Sequence, residues 1–404
     1  MSGNPWDPTA PMGPTPPAPR SRGRAAQAPG RPASGPQHWP TPRGAVAPVA
    51  KPETATIPLG QRRWLASMIL YLLAPITAEV LTGSTPPLQF VNPVRFLFLT
   101  ALYGSGALLV REMVRRRGLG WWSVLLLGAA YGVLEEGLVV TSWMNPNWPD
   151  LAFLNGYSRA LGINWYWALG MTAFHAVVSI ALPITLVEAA FPRLAPLPWL
   201  GQRGYRLLMV WLAVVSIAGL VGFGFLEFKD VGYHPPPLSW LLALVIAIAL
   251  AWLGTHPIGR LIRHAQGDPT VPPRVNRRLA PSLPMLRFTG FGFTLLFFAL
   301  LWGGPNLLKR PLLGMAALAL ALALATLTVS RWSHRLDWSP RRRLALLTGV
   351  ALFFVALAPF SEYILRPAGK DESGMTLVAV AALAALIWLA HAARVAEERR
   401  LHQP

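Results

Sequence analysis

Ten apolar runs, spread between residues 64 and 395, constrain the fold of this chain more than any other feature. A helix needs about 20 apolar residues to cross the hydrocarbon core of a bilayer. We therefore predict an all-α polytopic membrane protein with about ten transmembrane helices, and the composition, 53% hydrophobic and 13% charged, agrees. The predicted spans cover residues 64–82, 94–114, 121–143, 164–190, 204–226, 237–256, 288–308, 311–330, 342–363 and 375–395.

The basic residues predict how these spans are oriented. If the N-terminus is cytoplasmic, 29 of the 36 Lys and Arg residues fall in inner segments and seven fall in outer segments. Basic residues that flank spans favour the cytoplasmic side. Both termini are therefore predicted to be cytoplasmic, and the net charge of +19 needs no nucleic-acid partner to explain it.

Three segments follow from this pattern: a tail over residues 1–60, a membrane domain over residues 61–395 and a short cytoplasmic tail over residues 396–404. Fifteen of the forty prolines lie in the first segment, which has no apolar run and is predicted to be disordered. The weakest boundary is the turn at residues 303–312, where a slip would leave nine spans. The chain has no cysteine, which excludes disulfides and cysteine nucleophiles.

Few ionisable residues fall inside the predicted spans, and such residues are costly and are candidates for functional sites. They are Glu79 in the first span, Glu135 and Glu136 in the third, and His175 in the fourth. Counted at a rise of 1.5 Å per residue, these side chains lie between about 5 and 16 Å below the outer ends of their spans. We expect them to meet in the outer half of the bundle. Charged residues at the inner ends are predicted to be anchors and ion pairs: Arg111, Glu112 and Glu188.

Helical phase assigns different positions to the two adjacent glutamates. Gly128, Gly132 and Glu136 recur every fourth residue, so Glu136 should continue a stripe of small residues that faces another helix. Glu135 is rotated by about 100° toward the side of Tyr131. We therefore predict that Glu136 lies in the site and that Glu135 orients it from behind.

Supporting residues surround this predicted site. Ser179 shares a helix face with His175. An outer loop, rich in Asn and aromatic residues, contains Asn145 and the charge pair Asp150 and Arg159. The loop is either an aromatic belt at the membrane interface or a partly re-entrant lid over the acidic cavity.

Paired glutamates on one span and a histidine on the next resemble the intramembrane proteases of the CAAX-protease and bacteriocin-processing family. The motifs of that family are EExxxR, FxxxH and HxxxN. Glu135 and Glu136 match the paired glutamates, whereas Val140 stands at the arginine position. Met171 stands where FxxxH has phenylalanine, so the second motif is reduced to His175.

This resemblance covers roughly residues 120–190 and implies an intramembrane hydrolase. In such an enzyme Glu135 or Glu136 would activate a water molecule, and His175 would help to bind a metal or the oxyanion. A divalent metal is a further prediction, with Glu136 and His175 as its ligands.

Two other functions fit the same residues. Glu79, Glu136 and His175 could form the relay of a proton- or ion-coupled transporter or channel. The polar contacts could also serve only to fix helix packing in a structural or accessory protein. In each case the chain is predicted to lie in the plasma (inner) membrane of a bacterium, with the lipid bilayer as its partner and an ion, small molecule or peptide as substrate.

Overall fold

The computed structural model describes residues 59–148, 151, 153–154, 156–222, 235–256, 279–365 and 371–401. The chain divides into two units, Met1–Thr56 and Ile57–Pro404, and every described residue belongs to the second. The predicted disordered tail and most of the inner loop at residues 257–287 therefore lie outside the described residues.

Most of the described residues are helical. The α-helices of the first half are α1 (Leu59–Pro75), α2 (Pro87–Phe90), α3 (Pro93–Arg116), α4 (Trp121–Gly132), α5 (Trp165–Phe174) and α6 (Leu182–Ala190). Those of the second half are α7 (Gln202–Val221), α8 (Pro237–Thr255), α9 (Leu283–Leu307), α10 (Pro311–Ser333), α11 (Pro340–Phe360) and α12 (Met375–Leu401). A two-residue antiparallel ladder joins β1 (Arg159–Ala160) to β2 (Ile163–Asn164) in the loop before α5.

Among the residues that the structure describes, four complete π-helical segments interrupt or extend these α-helices. They are π1 (Ile76–Val80), π2 (Val133–Val139), π3 (His175–Ala181) and π4 (Ser361–Leu365). π1, π2 and π4 continue α1, α4 and α11, and π3 joins α5 to α6. When adjoining α- and π-helical segments are counted as one helix, the described residues contain ten helices that are long and apolar enough to cross a membrane, as predicted.

Several helices begin just after a residue whose side chain caps the helix N-terminus and that is followed by proline. Asn92 accepts hydrogen bonds from the backbone N–H groups of Val94 and Arg95 at the start of α3. Ser339 caps α11 in the same way, and Pro340 follows it at the first helical position. Such residues satisfy or replace N–H groups that have no partner within the helix.

The site-bearing helices lie at the centre of the bundle. The helix Trp165–Ala190 is formed by α5, π3 and α6. In its most apolar stretch of 18 residues 78% of the residues are buried, whereas in the corresponding stretches of α8 and α10 only 17% are buried. The exposed side chains of the peripheral helices are large and apolar, including Val214, Ile248 and Leu320. These exposed faces suit lipid as the surrounding solvent, and the buried centre can shelter polar groups.

Of three predicted boundaries, the structure confirms one and shifts two. The turn at residues 303–312 is real, because α9 ends at Leu307 and α10 begins at Pro311, so ten helices remain rather than nine. The third span ends at Val139 and not at residue 143, because Thr141 adopts a positive φ of 58° that no helix continues. The predicted tail at residues 396–404 begins within a helix, since α12 runs to Leu401.

Ion pairs close the end of the bundle opposite the site, as predicted for Arg111, Glu112 and Glu188. Arg111 lies 3.0 Å from Glu112 and 3.3 Å from Glu188, and Arg115 lies 2.6 Å from Glu188. The Arg111 guanidinium also stacks on the Trp199 ring at 3.3 Å from its centroid. These contacts tie α3 to α6 and to the loop that follows α6.

Candidate functional site

All four predicted ionisable site residues lie in π-helical segments. Glu79 belongs to π1, Glu135 and Glu136 belong to π2, and His175 begins π3. π-Helical turns are rare and occur frequently at functional sites. π1 contacts π3, and so does α4, the helix that π2 continues.

His175 lies between the two glutamates. Its Nε2 atom is 3.2 Å from Oε1 of Glu136, and its Nδ1 atom is 3.2 Å from Oε2 of Glu135. Ser179 Oγ lies 3.0 Å from the same Nδ1 atom, as the shared helix face predicted. His175 is 1% exposed, so both carboxylates act on it in a site largely closed to solvent.

The predicted rotation between the two glutamates therefore does not keep Glu135 away from His175. Both carboxylates reach His175, one at each ring nitrogen. A π-helix closes its hydrogen bonds between residues i and i+5, so its turns are wider than those of an α-helix. The 100° rotation that separates neighbours in an α-helix does not apply in π2, and the flexible side chains can converge.

Tyr103, on α3, links two of the acidic residues and was missed by the sequence argument. Its hydroxyl contacts Oε1 of Glu135 and lies 2.5 Å from Oε1 of Glu79. One hydroxyl carries one proton, so one of the two contacts requires a proton on the carboxyl group. Thr85 donates a 2.6 Å hydrogen bond to the other oxygen of Glu79. These contacts form a chain of polar groups from Thr85 through Tyr103 to His175.

A depth count could have found Tyr103. It lies ten residues after the start of α3, which places it about 15 Å below the outer end of that helix and level with His175. Its ring stacks on the His175 ring, with centroids 6.0 Å apart. Aromatic hydroxyls are common in membrane helices, so only the shared depth singles this residue out.

The predicted glycine stripe does let helices approach at the site. A Cβ atom added to Gly132 would lie 2.7 Å from Cβ of His175, and one added to Gly128 would lie 3.0 Å from Cα of Ala176. The absence of side chains at these two positions therefore allows π3 to pack directly against α4.

The segment after π2 folds back over Glu136. Ser142 donates a hydrogen bond to Oε2 of Glu136 and accepts one of 3.1 Å from Nε1 of Trp167. The positive φ of Thr141 makes this reversal, and such a value is uncommon for a β-branched residue. Trp143 is 1% exposed, so an aromatic belt at the membrane interface does not account for it. This part of the loop lies over the acidic site.

Asn145 and Arg159, predicted as supporting residues, hold the loop together instead of contacting the site. Asn145 is buried and accepts a hydrogen bond from the backbone N–H of Asn147. Arg159 donates to the carbonyl oxygens of Met144 and Gly162, at 2.8 and 3.0 Å. Asp150, its predicted ion-pair partner, lies outside the described residues.

The predicted metal ligands, Glu136 and His175, face each other. In the described part of the chain, no group of three or more His, Cys, Asp or Glu side chains is placed to hold a metal ion. The nitrogen of His175 that would bind a metal beside Glu136 lies 3.2 Å from Oε1 of that glutamate. The observed arrangement thus suits proton exchange between carboxylates and imidazole.

Comparison with known proteins places the chain in a family. A family model, described as an uncharacterized membrane protein family, matches residues 68–401. The chain belongs to that family. An uncharacterized protein of Archaeoglobus fulgidus is 28% identical over 122 residues, which are 30% of this chain and 37% of the archaeal protein. No solved structure matches the chain. The protein is therefore a multi-pass membrane protein associated with the lipid bilayer.

Proposed function

We propose that this protein is an intramembrane hydrolase that cleaves a hydrophobic or lipid-linked peptide with an activated water molecule. One observation carries the proposal: two glutamates approach opposite nitrogens of one buried histidine, at 3.2 Å each. The earlier resemblance to CAAX-type proteases is consistent with this chemistry, although Val140 stands at their motif arginine. We place the enzyme in the plasma membrane of a bacterium.

Glu136 is the better placed of the two glutamates to act as general base. Its side chain is 15% exposed, against 6% for Glu135, so water can reach it more readily. Ser142 and His175 fix its two oxygens. Glu136 would take a proton from water as oxygen bonds to the substrate carbonyl, and that proton would pass to the leaving nitrogen as the C–N bond breaks.

The other residues position this pair. Glu135 approaches Nδ1 of His175 and so favours one orientation of the ring, with Nε2 directed at Glu136. Tyr103 holds Glu135 from the opposite side. His175 can then hold the Glu136 carboxylate in place before the proton transfer and stabilise the negative charge that develops on the substrate oxygen.

The experiment uses full-length protein in liposomes with a fluorescent peptide that contains one apolar helix. We expect wild-type protein to cleave it and Glu136→Gln to be slower by at least about 100-fold, the usual contribution of a general base. Glu362→Gln is the matched control, because Glu362 also lies in a π-helical segment but accepts hydrogen bonds from Gly374 and Thr376. Equal rates for wild type and Glu136→Gln would refute the proposal.

Proton-coupled transport is the second candidate, favoured by the polar chain from Glu79 through Tyr103 to Glu135. By the predicted depths, this chain stays in the outer half of the bundle and does not run from one membrane face to the other. In the helices that bear it, no Asp, Glu, His, Lys or Arg lies between Ser179 and Glu188 or between Tyr103 and Arg111. A pH-dependent flux in proteoliposomes that Glu79→Gln abolishes would favour transport over hydrolysis.

A further inference from the structure

A second site is suggested by an apolar cavity of about 250 Å³ between helices α4, π3, α9, α10 and α11. Its walls include Leu125, Val177, Phe293, Leu322 and Leu346. The Phe174 ring lies at one end of the cavity and packs edge-on against His175, with centroids 5.2 Å apart. Phe174 thus separates this cavity from the acidic site.

The cavity has the length of one lipid leaflet. Along α10 its lining extends from Leu322 to Ser333, and eleven residues of helix rise about 16 Å. Half of the hydrocarbon core of a bilayer is about 15 Å thick. The charged lining residue lies at the predicted cytoplasmic end: Arg343 lines the cavity there together with Trp121 and Trp338.

Arg343 differs from the two arginines that precede it. Arg341 pairs with Glu397, and Arg342 lies 2.7 Å from Asp337. Among the residues that the structure describes, no carboxylate lies within salt-bridge distance of Arg343. Its buried Nε atom, like that of Arg342, has no hydrogen-bond partner. The Arg343 side chain is half-buried, so its guanidinium can still receive an anion, and phosphate matches its geometry.

We propose that this cavity binds one anionic phospholipid of the cytoplasmic leaflet. An acyl chain would fill the apolar part, and the phosphate would accept hydrogen bonds from Arg343. The guanidinium carbon lies 3.9 Å from the centroid of the Trp121 ring, so stacking holds the donor group at the cavity mouth. This binding site is independent of the proposed hydrolase activity.

The test titrates full-length protein in detergent with phosphatidylglycerol and counts bound lipid by native mass spectrometry. Phosphatidylcholine with the same acyl chains is the control ligand. We expect one phosphatidylglycerol to bind in preference to phosphatidylcholine, and Arg343→Gln to weaken its binding about tenfold, as for loss of a charged hydrogen bond. Arg342→Gln, which removes an arginine paired with Asp337, should leave binding unchanged.

A second variant tests the acyl-chain part of the site. Ala325 lines the cavity, and Ala325→Trp should fill it and lower phosphatidylglycerol binding without touching the charge. Thermal unfolding checks that each variant folds. If Arg343→Gln does not fold, lipid binding by Ala325→Trp tests the proposal. Equal binding of the two lipids, equal effects of Arg343→Gln and Arg342→Gln, or full binding by Ala325→Trp would each overturn the proposal.

Discussion

His175 is the residue through which the other polar groups of the site are connected. Two carboxylates and the Ser179 hydroxyl lie within 3.2 Å of its ring nitrogens, and the Tyr103 ring stacks on it. A buried polar group is costly unless it is paired, so a site of this kind is held together by its own contacts. A change to a single member should therefore leave its partner unpaired and disturb the geometry of the whole site.

Tyr103→Phe tests the link between Glu79 and Glu135. The change removes a hydroxyl that separates two carboxylates, so we expect hydrolysis to fall by about tenfold or more, since an unmet buried hydrogen bond costs about 1–3 kcal/mol. The matched control is Tyr71→Phe, because the Tyr71 hydroxyl only accepts a 3.1 Å hydrogen bond from Trp211. Equal peptide-cleavage rates in the two variants would show that Tyr103 does not support the site.

Gly132→Ala tests the close approach of π3. The new Cβ atom would lie 2.7 Å from Cβ of His175, so the histidine must move. Overpacking of this kind costs about 1–3 kcal/mol, and we expect a lower unfolding temperature together with lost cleavage. Gly292→Ala is the control, since a Cβ atom there meets nothing within 4 Å. Unchanged stability and activity in Gly132→Ala would contradict the packing described.

At the residue scale, the sequence revealed the site where polar residues stand out from an apolar context. Glu135, Glu136 and His175 were predicted for that reason, and the structure brings them together. Tyr103 and Ser142 were missed because aromatic and hydroxyl residues are ordinary in membrane helices. The roles of Asn145 and Arg159 could not be assigned, since their partners are backbone carbonyl and N–H groups that no side-chain pattern encodes.

At the scale of elements, the π-helical segments make the site possible. The predicted spans were close to the observed helices because apolar length alone decides them. The π-helical turns carry no comparable sequence signal, and the assumption of α-helical phase misplaced Glu135. The polar residues of the site thus lie where the helices depart from regular α-helical geometry.

The ion pairs at the opposite end should hold α3 to α6 independently of the site. Glu188→Gln leaves Arg111 and Arg115 without their shared carboxylate, and breaking a buried pair costs about 3–5 kcal/mol. Glu397→Gln removes an exposed pair with Arg341 and should cost about 1 kcal/mol or less. Thermal unfolding in detergent measures both changes. Equal unfolding temperatures for the two variants would refute the structural role of Glu188.

For the whole molecule, the distribution of basic residues predicts that the site opens toward the outer face. The natural chain has no cysteine, so single cysteines can be labelled without a background. Phe153→Cys in the loop over the site should react with an impermeant maleimide in intact cells. Leu336→Cys, between α10 and α11, should react only after permeabilisation. Both side chains are exposed in the structure, so the reverse pattern would invert the topology.

The central claim is that Glu136, paired with His175, activates water for peptide cleavage. The most direct measurement is cleavage of the apolar peptide in ¹⁸O-labelled water, followed by mass spectrometry of the new C-terminal carboxylate. We predict that wild-type protein and Glu362→Gln incorporate one ¹⁸O atom per cleavage and that Glu136→Gln forms almost no product. Labelled product formed by Glu136→Gln at the wild-type rate would contradict the claim.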